Sequence, residues 1–414
     1  MQMYIVIVKD VVNVLTLARP VQQRRVLTGA FLSYFFDAMG MSFLALSLPE
    51  ILTELGISKA QGGLLNSAML LGMGVSSMLV GRISDKYGRK KALLFSLALF
   101  IVFAGSIFFV RAWVVFFCFN FCSGLGLGGI WSCSAALVNE TWPAGERGKA
   151  SSIVMSAGQL GMMFSTILAH FFLRATGWRY LYLTAFAALL AVIYLLCYVD
   201  ESPVWLQSRQ QGGVKSTGAA SFGALFRPGL RTYTLAATAM SAFAFIATWG
   251  INTWLPTYLV KERGLDDYRK TFFLLVCYGC QFVGQQVFGR VSDRIGRKRT
   301  ISLLLTAAAL ILACFALTKN YYLSLVLGGL VYFANAFAGL AGAYFPELFP
   351  TEVRGTGAGF CFNVGRGISA ISPYVMGGLA TRYNLQVSLL VCAAFFLLAP
   401  QFLRVLPAGG RTDE

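Results

Sequence analysis

Gly81-Arg-Ile-Ser-Asp-Lys-Tyr-Gly-Arg-Lys-Lys91 returns further along the chain as Gly289-Arg-Val-Ser-Asp-Arg-Ile-Gly-Arg-Lys-Arg299, an offset of 208 residues. Two more pairs share that spacing. Glu140-Thr-Trp-Pro143, followed by Arg147-Gly148, recurs as Glu347-Leu-Phe-Pro350 followed by Arg354-Gly355, an offset of 207. Pro49 matches Pro256, again 207 residues on. Three independent anchors at one offset mark an internal duplication, so the chain is two homologous halves in parallel repeat. That arrangement suits a carrier whose halves rock about a site between them.

Working outward from the repeats, every flanking stretch is apolar. Of the 414 residues, 57% are hydrophobic and 12% charged, against about 25% charged in an ordinary soluble domain. These proportions exclude a soluble globule, a disordered chain and a secreted disulfide scaffold. A membrane-crossing helix needs about 20 apolar residues, so the chain holds enough for about twelve. Hydropathy and helix breakers predict spans at 26–53, 60–81, 92–110, 112–139, 148–173 and 178–199, then 232–259, 271–289, 300–318, 321–346, 355–380 and 385–405. The expected fold is all-α, with twelve transmembrane helices in two six-helix bundles, 26–200 and 232–405. A linker (201–231) joins the bundles, and residues 1–25 and 406–414 form cytoplasmic ends. Residues 1–20 lack a basic start, a continuous apolar core and a cleavage site, and are expected as a surface helix.

The net charge of +17 does not indicate nucleic acid, because basic residues sit in short clusters between apolar runs and not along one aromatic-studded patch. They report orientation instead. Of the 34 Lys and Arg, 23 fall on one side, in the N-terminal segment, the two repeated loops, the loop with Arg147, the linker, the loop with Arg354 and the tail. Ten fall on the other side, and Arg366 lies inside a span. The richer side is cytoplasmic by the positive-inside rule, which places both termini inside. The nine cysteines all lie in apolar runs and the single histidine is His170. Neither supports a metal or redox centre, even with Cys277 and Cys280 as a CxxC. No phosphate-binding loop and no nucleophile with its base occur, so neither a cofactor, ATP drive nor an enzyme is expected.

The repeated motif resembles the loop signature between helices two and three, and eight and nine, of the major facilitator superfamily, and the resemblance covers residues 26–405. It implies gating contacts through Gly81, Arg82, Asp85, Gly88 and Arg89, and through Gly289, Arg290, Asp293, Gly296 and Arg297. The glycines would permit tight turns and close approach at helix ends. The aspartates would take helix amides or a nearby arginine. Glu140, Arg147, Glu347 and Arg354, at the inner ends of their spans, fit as gate partners. Three finer stretches resemble the sugar and organic-acid proton symporters of that superfamily: Phe36-Asp37-Ala-Met-Gly40, Ser123-Gly-Leu-Gly-Leu-Gly-Gly129, and Asp200-Glu-Ser-Pro-Val-Trp-Leu206. Two positions depart from that pattern, Gly40 in place of a second acidic residue and Asn120 in place of an arginine.

Asp37 and Arg366 each lie about a dozen residues into a span, near the bilayer midplane at 1.5 Å per residue. A charge there costs about 2.5–3.5 kcal/mol on insertion scales, so each is expected to face a cavity or a partner. Gln159 is the repeat equivalent of Arg366. Arg366 is read as a fork-shaped donor to a carboxylate, Gln159 as a hydrogen-bonding group for the far end of the same substrate, and Asp37 as the proton site. The alternative is a fixed Asp37–Arg366 bridge holding the halves together. Further cavity candidates are Asn335, Trp249, Asn252, Gln281, Gln285, Trp131 and Tyr344. The sequence thus predicts a monomeric, proton-coupled importer of a small organic anion in a bacterial-type inner or plasma membrane. The rivals are a proton-coupled exporter, a facilitator of neutral sugars, and a sensor, for which the soluble parts are too small.

Overall fold

The computed structural model describes residues 21–143, 147–210, 223–350 and 353–407. The surface helix expected over residues 1–20 and most of the tail lie outside the described residues. The long apolar runs form α1 (Val21–Glu54), α2 (Lys59–Tyr87), α3 (Arg89–Phe109), α4 (Trp113–Thr141), α5 (Arg147–Ala175) and α6 (Trp178–Tyr198) in the first half. The second half has α7 (Arg231–Lys261), α8 (Asp267–Ile295), α9 (Arg297–Leu317), α10 (Tyr321–Leu348), α11 (354–382) and α12 (Leu385–Val405). At 1.5 Å per residue the 34 residues of α1 reach about 51 Å, well beyond a hydrocarbon core of about 30 Å. Among the described residues, eleven helices are long and apolar enough to cross a membrane. α11 completes the set of twelve, its hydropathy lowered by Asn363, Arg366 and seven glycines. It bends through a 3-10 turn at Ser369–Ile371.

Local chemistry repeats with the sequence. Ser58 caps α2 through a capping box with Gln61, and Asp266, 208 residues on, caps α8 by accepting from the Arg269 amide at 2.7 Å. Such caps satisfy amides that a helix start leaves without an intrahelical partner. Glu54 at the end of α1 accepts from Trp178 Nε1 at 2.6 Å and from Arg179 at the start of α6. Its repeat equivalent Glu262 accepts from the amides of Leu385 and Gln386 at the start of α12. In each half the same acidic position ties the first span to the last.

Within the first half α4 packs on α2, α3 and α1, and α5 packs on α1; within the second, α12 packs on α7 and α9, and α10 on α8 and α9. The halves meet along α2–α11, α5–α8 and α1–α7. The repeat offset carries α2 onto α8 and α5 onto α11, so the first two seams are one seam used twice. Its two copies differ in chemistry. The α2–α11 copy is glycine-lined: a Cβ at Gly63 would lie 2.1 Å from Pro373 O, and one at Gly377 2.4 Å from Lys59 O. Small residues of this kind let helix backbones touch. The α5–α8 copy is ionic, with His170 Nδ1 2.9 Å from Asp267 Oδ2, Arg174 3.6 Å from the same oxygen, and Lys270 2.5 Å from Asp267 Oδ1. Lys59 adds a contact to Ala380 O at 3.3 Å and an ion pair with Glu262 at 3.8 Å. These contacts draw the halves together at the end opposite the repeated loops.

Candidate functional site

Spacing along α1 sets the first wall of the site. Asp37, Met41 and Ala45 recur at intervals of four, which places them on one helix face. On α7, Trp249, Asn252 and Thr253 share a face for the same reason, and on α2 so do Asn66 and Met73. Met41, Ser42, Ala45, Asn66, Met162, Trp249, Asn252, Thr253 and Tyr278 enclose a cavity between the halves. Its volume is about 10 Å³, near the minimum that admits one water. This state therefore holds the site contracted, and a larger guest requires unbranched side chains such as Met41 and Met162 to move.

Arg366, on α11, borders this cavity through two of its lining residues, Met41 and Trp249. Its Nη2 lies 4.0 Å from Met41 Sδ and 3.8 Å from Met73 Sδ, and its guanidinium stands 5.8 Å from the centre of the Trp249 ring. It makes no ion pair among the described residues. Asp37 is fully buried, and neither carboxylate oxygen has a hydrogen-bond partner among the described residues. No ion pair joins Arg366 to Asp37 among the described residues, so the fixed bridge between them is not formed here. A cation from one half and a carboxyl group from the other thus lie beside the cavity lining, Arg366 against Met41 and Trp249 and Asp37 one turn before Met41 on α1, and neither has an ion pair among the described residues. Among the described residues, Gln159 is buried on α5 with no partner for Oε1, and Trp249 Nε1 is a donor without an acceptor.

Several candidates are spent elsewhere. Tyr344 is fully buried and donates to Pro407 O at 2.5 Å, so its hydroxyl serves bundle packing and not the cavity. Trp131 packs on Tyr34, ring centres 4.9 Å apart, outside the cavity wall. Asn335 meets the Thr248 hydroxyl at 3.1 Å where α10 breaks. Gln281 and Gln285 are half-buried on α8 and do not line the cavity. Asn252 does line it, and accepts from Tyr332 at 2.8 Å. Asn66, Thr253 and Tyr278 escaped the sequence reading. An asparagine beside Ser67, with no charge to mark it, gives little signal in an apolar run.

At the loop end each motif is knotted within its own half. Arg89 Nη2 meets Glu140 at 3.0 Å and its Nη1 meets Asp85 at 2.8 Å. Glu201 accepts from the Lys90 amide at 3.0 Å, Ser202 donates to Glu140, and Trp205 Nε1 donates to Asp85 O at 2.8 Å. The Asp200–Leu206 segment therefore seals the first loop, a role for Glu201 that the sequence reading missed. Gly88 adopts φ +109°, and a Cβ there would lie 2.2 Å from Glu201 Oε2. In the second half Arg297 pairs with Glu347 and donates to Ala343 O at 2.8 Å. Gly296 has φ +90° with open space around it. Gly81 and Gly289 sit inside α2 and α8 with nothing near a would-be Cβ, so the expected tight turn is absent at both. Arg82, Arg290 and Asp293 are exposed. Arg354 contacts Phe349 O at 3.4 Å. The side chain of Arg147 lies outside the described residues.

A family model for the Major Facilitator Superfamily matches residues 30–284 and 272–412. The chain belongs to the major facilitator superfamily. It is 26% identical to the cis,cis-muconate transport protein of Acinetobacter baylyi over 89% of this chain and 90% of that one. It is 27% identical to the sialic acid transporter NanX of Escherichia coli over 90% and 91%. Among solved structures, the D-xylose-proton symporter superposes with a TM-score of 0.76 at 18% identity, covering 92% of this chain and 97% of that one. This superfamily member is thus a multi-pass membrane transporter in family and fold, with its unpaired central charges at the seam between halves.

Proposed function

We propose that the protein imports a small organic anion, a carboxylate, together with protons, by alternating access. One observation carries this reading: Arg366 stands at the cavity between the halves with methionine sulfurs and an indole face around it and no anionic partner among the described residues. A guanidinium so placed is costly in a membrane and offers a two-pronged donor matched to a carboxylate. Trp249 Nε1 adds a further donor. The related transporters of muconate and sialic acid support the class of substrate. Asp37 is the proton site: a substrate anion that neutralises Arg366 leaves the buried carboxylate without a countercharge in an apolar span, and a proton restores neutrality.

With the arginine-rich loops on the cytoplasmic side, the seam that is closed here is the outer one. The Arg89–Glu140 and Arg297–Glu347 pairs bind α3 to α4 and α9 to α10, so each bundle rocks as a unit, gated at the loops. The protein acts as a monomer in the inner or plasma membrane. The test is ligand-induced thermal stabilisation in detergent, with carboxylates, neutral sugars and cationic drugs on wild type, Arg366→Ala and Arg366→Lys. Carboxylates stabilise wild type and fail on Arg366→Ala. Arg366→Lys keeps the charge and loses the fork, with affinity down about tenfold. Equal stabilisation of wild type and Arg366→Ala by neutral sugars overturns the reading.

A further inference from the structure

The orientation of one buried amide is dictated by its neighbours. Thr253 Oγ1 donates its single proton to Trp249 O, four residues back on α7, at 2.7 Å. A hydroxyl that has given its proton away can only accept. Asn66 on α2, 2.5 Å away, must therefore present its Nδ2 to Thr253. Its Oδ1 then points away from Thr253 and finds no partner among the described residues, although Asn66 is 98% buried and lines the cavity. The contact joins the two halves, since α2 and α7 belong to different bundles. An asparagine turned the other way would set two acceptors against each other, so the network fixes the orientation of the amide.

We propose that Asn66 Oδ1 is a specificity site that reads a hydrogen-bond donor, an O–H or N–H, at the end of the substrate remote from its carboxylate. The assignment rests on the carboxylate reading of Arg366 and extends it. Arg366, beside the cavity, and Trp249 Nε1 supply donors for the carboxylate, while Asn66 supplies a bare acceptor on the cavity lining. A buried acceptor left unmatched by a guest keeps its desolvation penalty, and one that receives a donor is relieved of it. Thr253 is the positioning residue: it holds the amide so that the acceptor, and not the NH2 group, faces the guest.

The probes are matched acids on two scaffolds: benzoate, 4-hydroxybenzoate and 4-methoxybenzoate, and hexanoate, 6-hydroxyhexanoate and 6-methoxyhexanoate. Dissociation constants are measured by calorimetry in detergent on wild type, Asn66→Ala, Thr253→Val and Arg366→Ala. Wild type should prefer the hydroxy acid over both its parent and its methyl ether by about tenfold or more on at least one scaffold, because only the hydroxy acid carries the donor. Asn66→Ala should bring that ratio near one while carboxylates still bind. Thr253→Val frees the amide to turn, and should narrow the preference even if Asn66→Ala fails to fold. Binding of acids without donor preference in wild type, or a preference that survives both substitutions, overturns the inference and leaves the Arg366 reading standing. Failure of every acid to bind wild type overturns both. Arg366→Ala tests the carboxylate reading on its own, since it should abolish binding of all six acids whether or not wild type shows the hydroxyl contrast.

Discussion

A single methyl group at Gly63 tests whether the α2–α11 seam sets the conformational equilibrium. The added Cβ would sit 2.1 Å from Pro373 O and 2.6 Å from its carbonyl carbon. Both are backbone atoms, so no side-chain rotation relieves the clash. Ordinary contact begins at 3.4 Å, and the helices must part by about 1.3 Å to reach it. Overpacking of this kind costs about 1–3 kcal/mol, and the cost falls only on the state in which the seam is closed. At about 2 kcal/mol the ratio of open to closed rises roughly 30-fold. Gly377→Ala should act in the same direction, since its Cβ would lie 2.4 Å from Lys59 O. Gly378→Ala is the control, one residue along the same helix with open space around it. The assay uses Ala45→Cys, which lines the cavity, in a background without the native cysteines. A membrane-impermeant maleimide is applied from the side opposite the repeated loops. Labelling rate follows the population open at that side, and should rise roughly 30-fold in Gly63→Ala. If Gly63→Ala is folded and labels no faster than Gly378→Ala, the seam does not govern the equilibrium.

Two further outcomes follow from the geometry. Asp37→Asn should retain carboxylate binding and substrate counterflow in proteoliposomes but lose accumulation driven by an imposed pH gradient; accumulation equal to wild type would remove Asp37 from coupling. Gly88→Ala should lower thermal stability more than Gly296→Ala. Both incur backbone strain of about 1–3 kcal/mol at positive φ, while Gly88→Ala also displaces Glu201 from the Lys90 amide, worth about 1 kcal/mol more. Equal losses in the two variants would show that the Glu201 contact contributes nothing.

The duplicated loops, the apolar runs and the asymmetry of basic residues made the membrane fold legible before any coordinates, because hydropathy and topology signals are summed locally along the chain. Asp37 and Arg366 were legible for a related reason: a charge inside an apolar run stands out against its neighbours and is costly to keep. Tyr344 shows where such reasoning stops. Its place near the end of a span suggested a cavity, yet its hydroxyl meets Pro407, 63 residues away. Asn66 shows the converse. Nothing nearby in sequence marks it, and its importance comes from Thr253, 187 residues on and in the other half.

By itself, then, the sequence determined that this chain crosses a membrane as a repeated bundle and which two charges it carries inside. Tertiary structure decided which glycines of 43 meet a backbone, which acidic group seals the first loop, and which polar atoms are left unpaired at the cavity. Those depend on the directions of side chains from helices far apart in the chain, and a hydrogen bond made or missed across a seam leaves no trace in local composition.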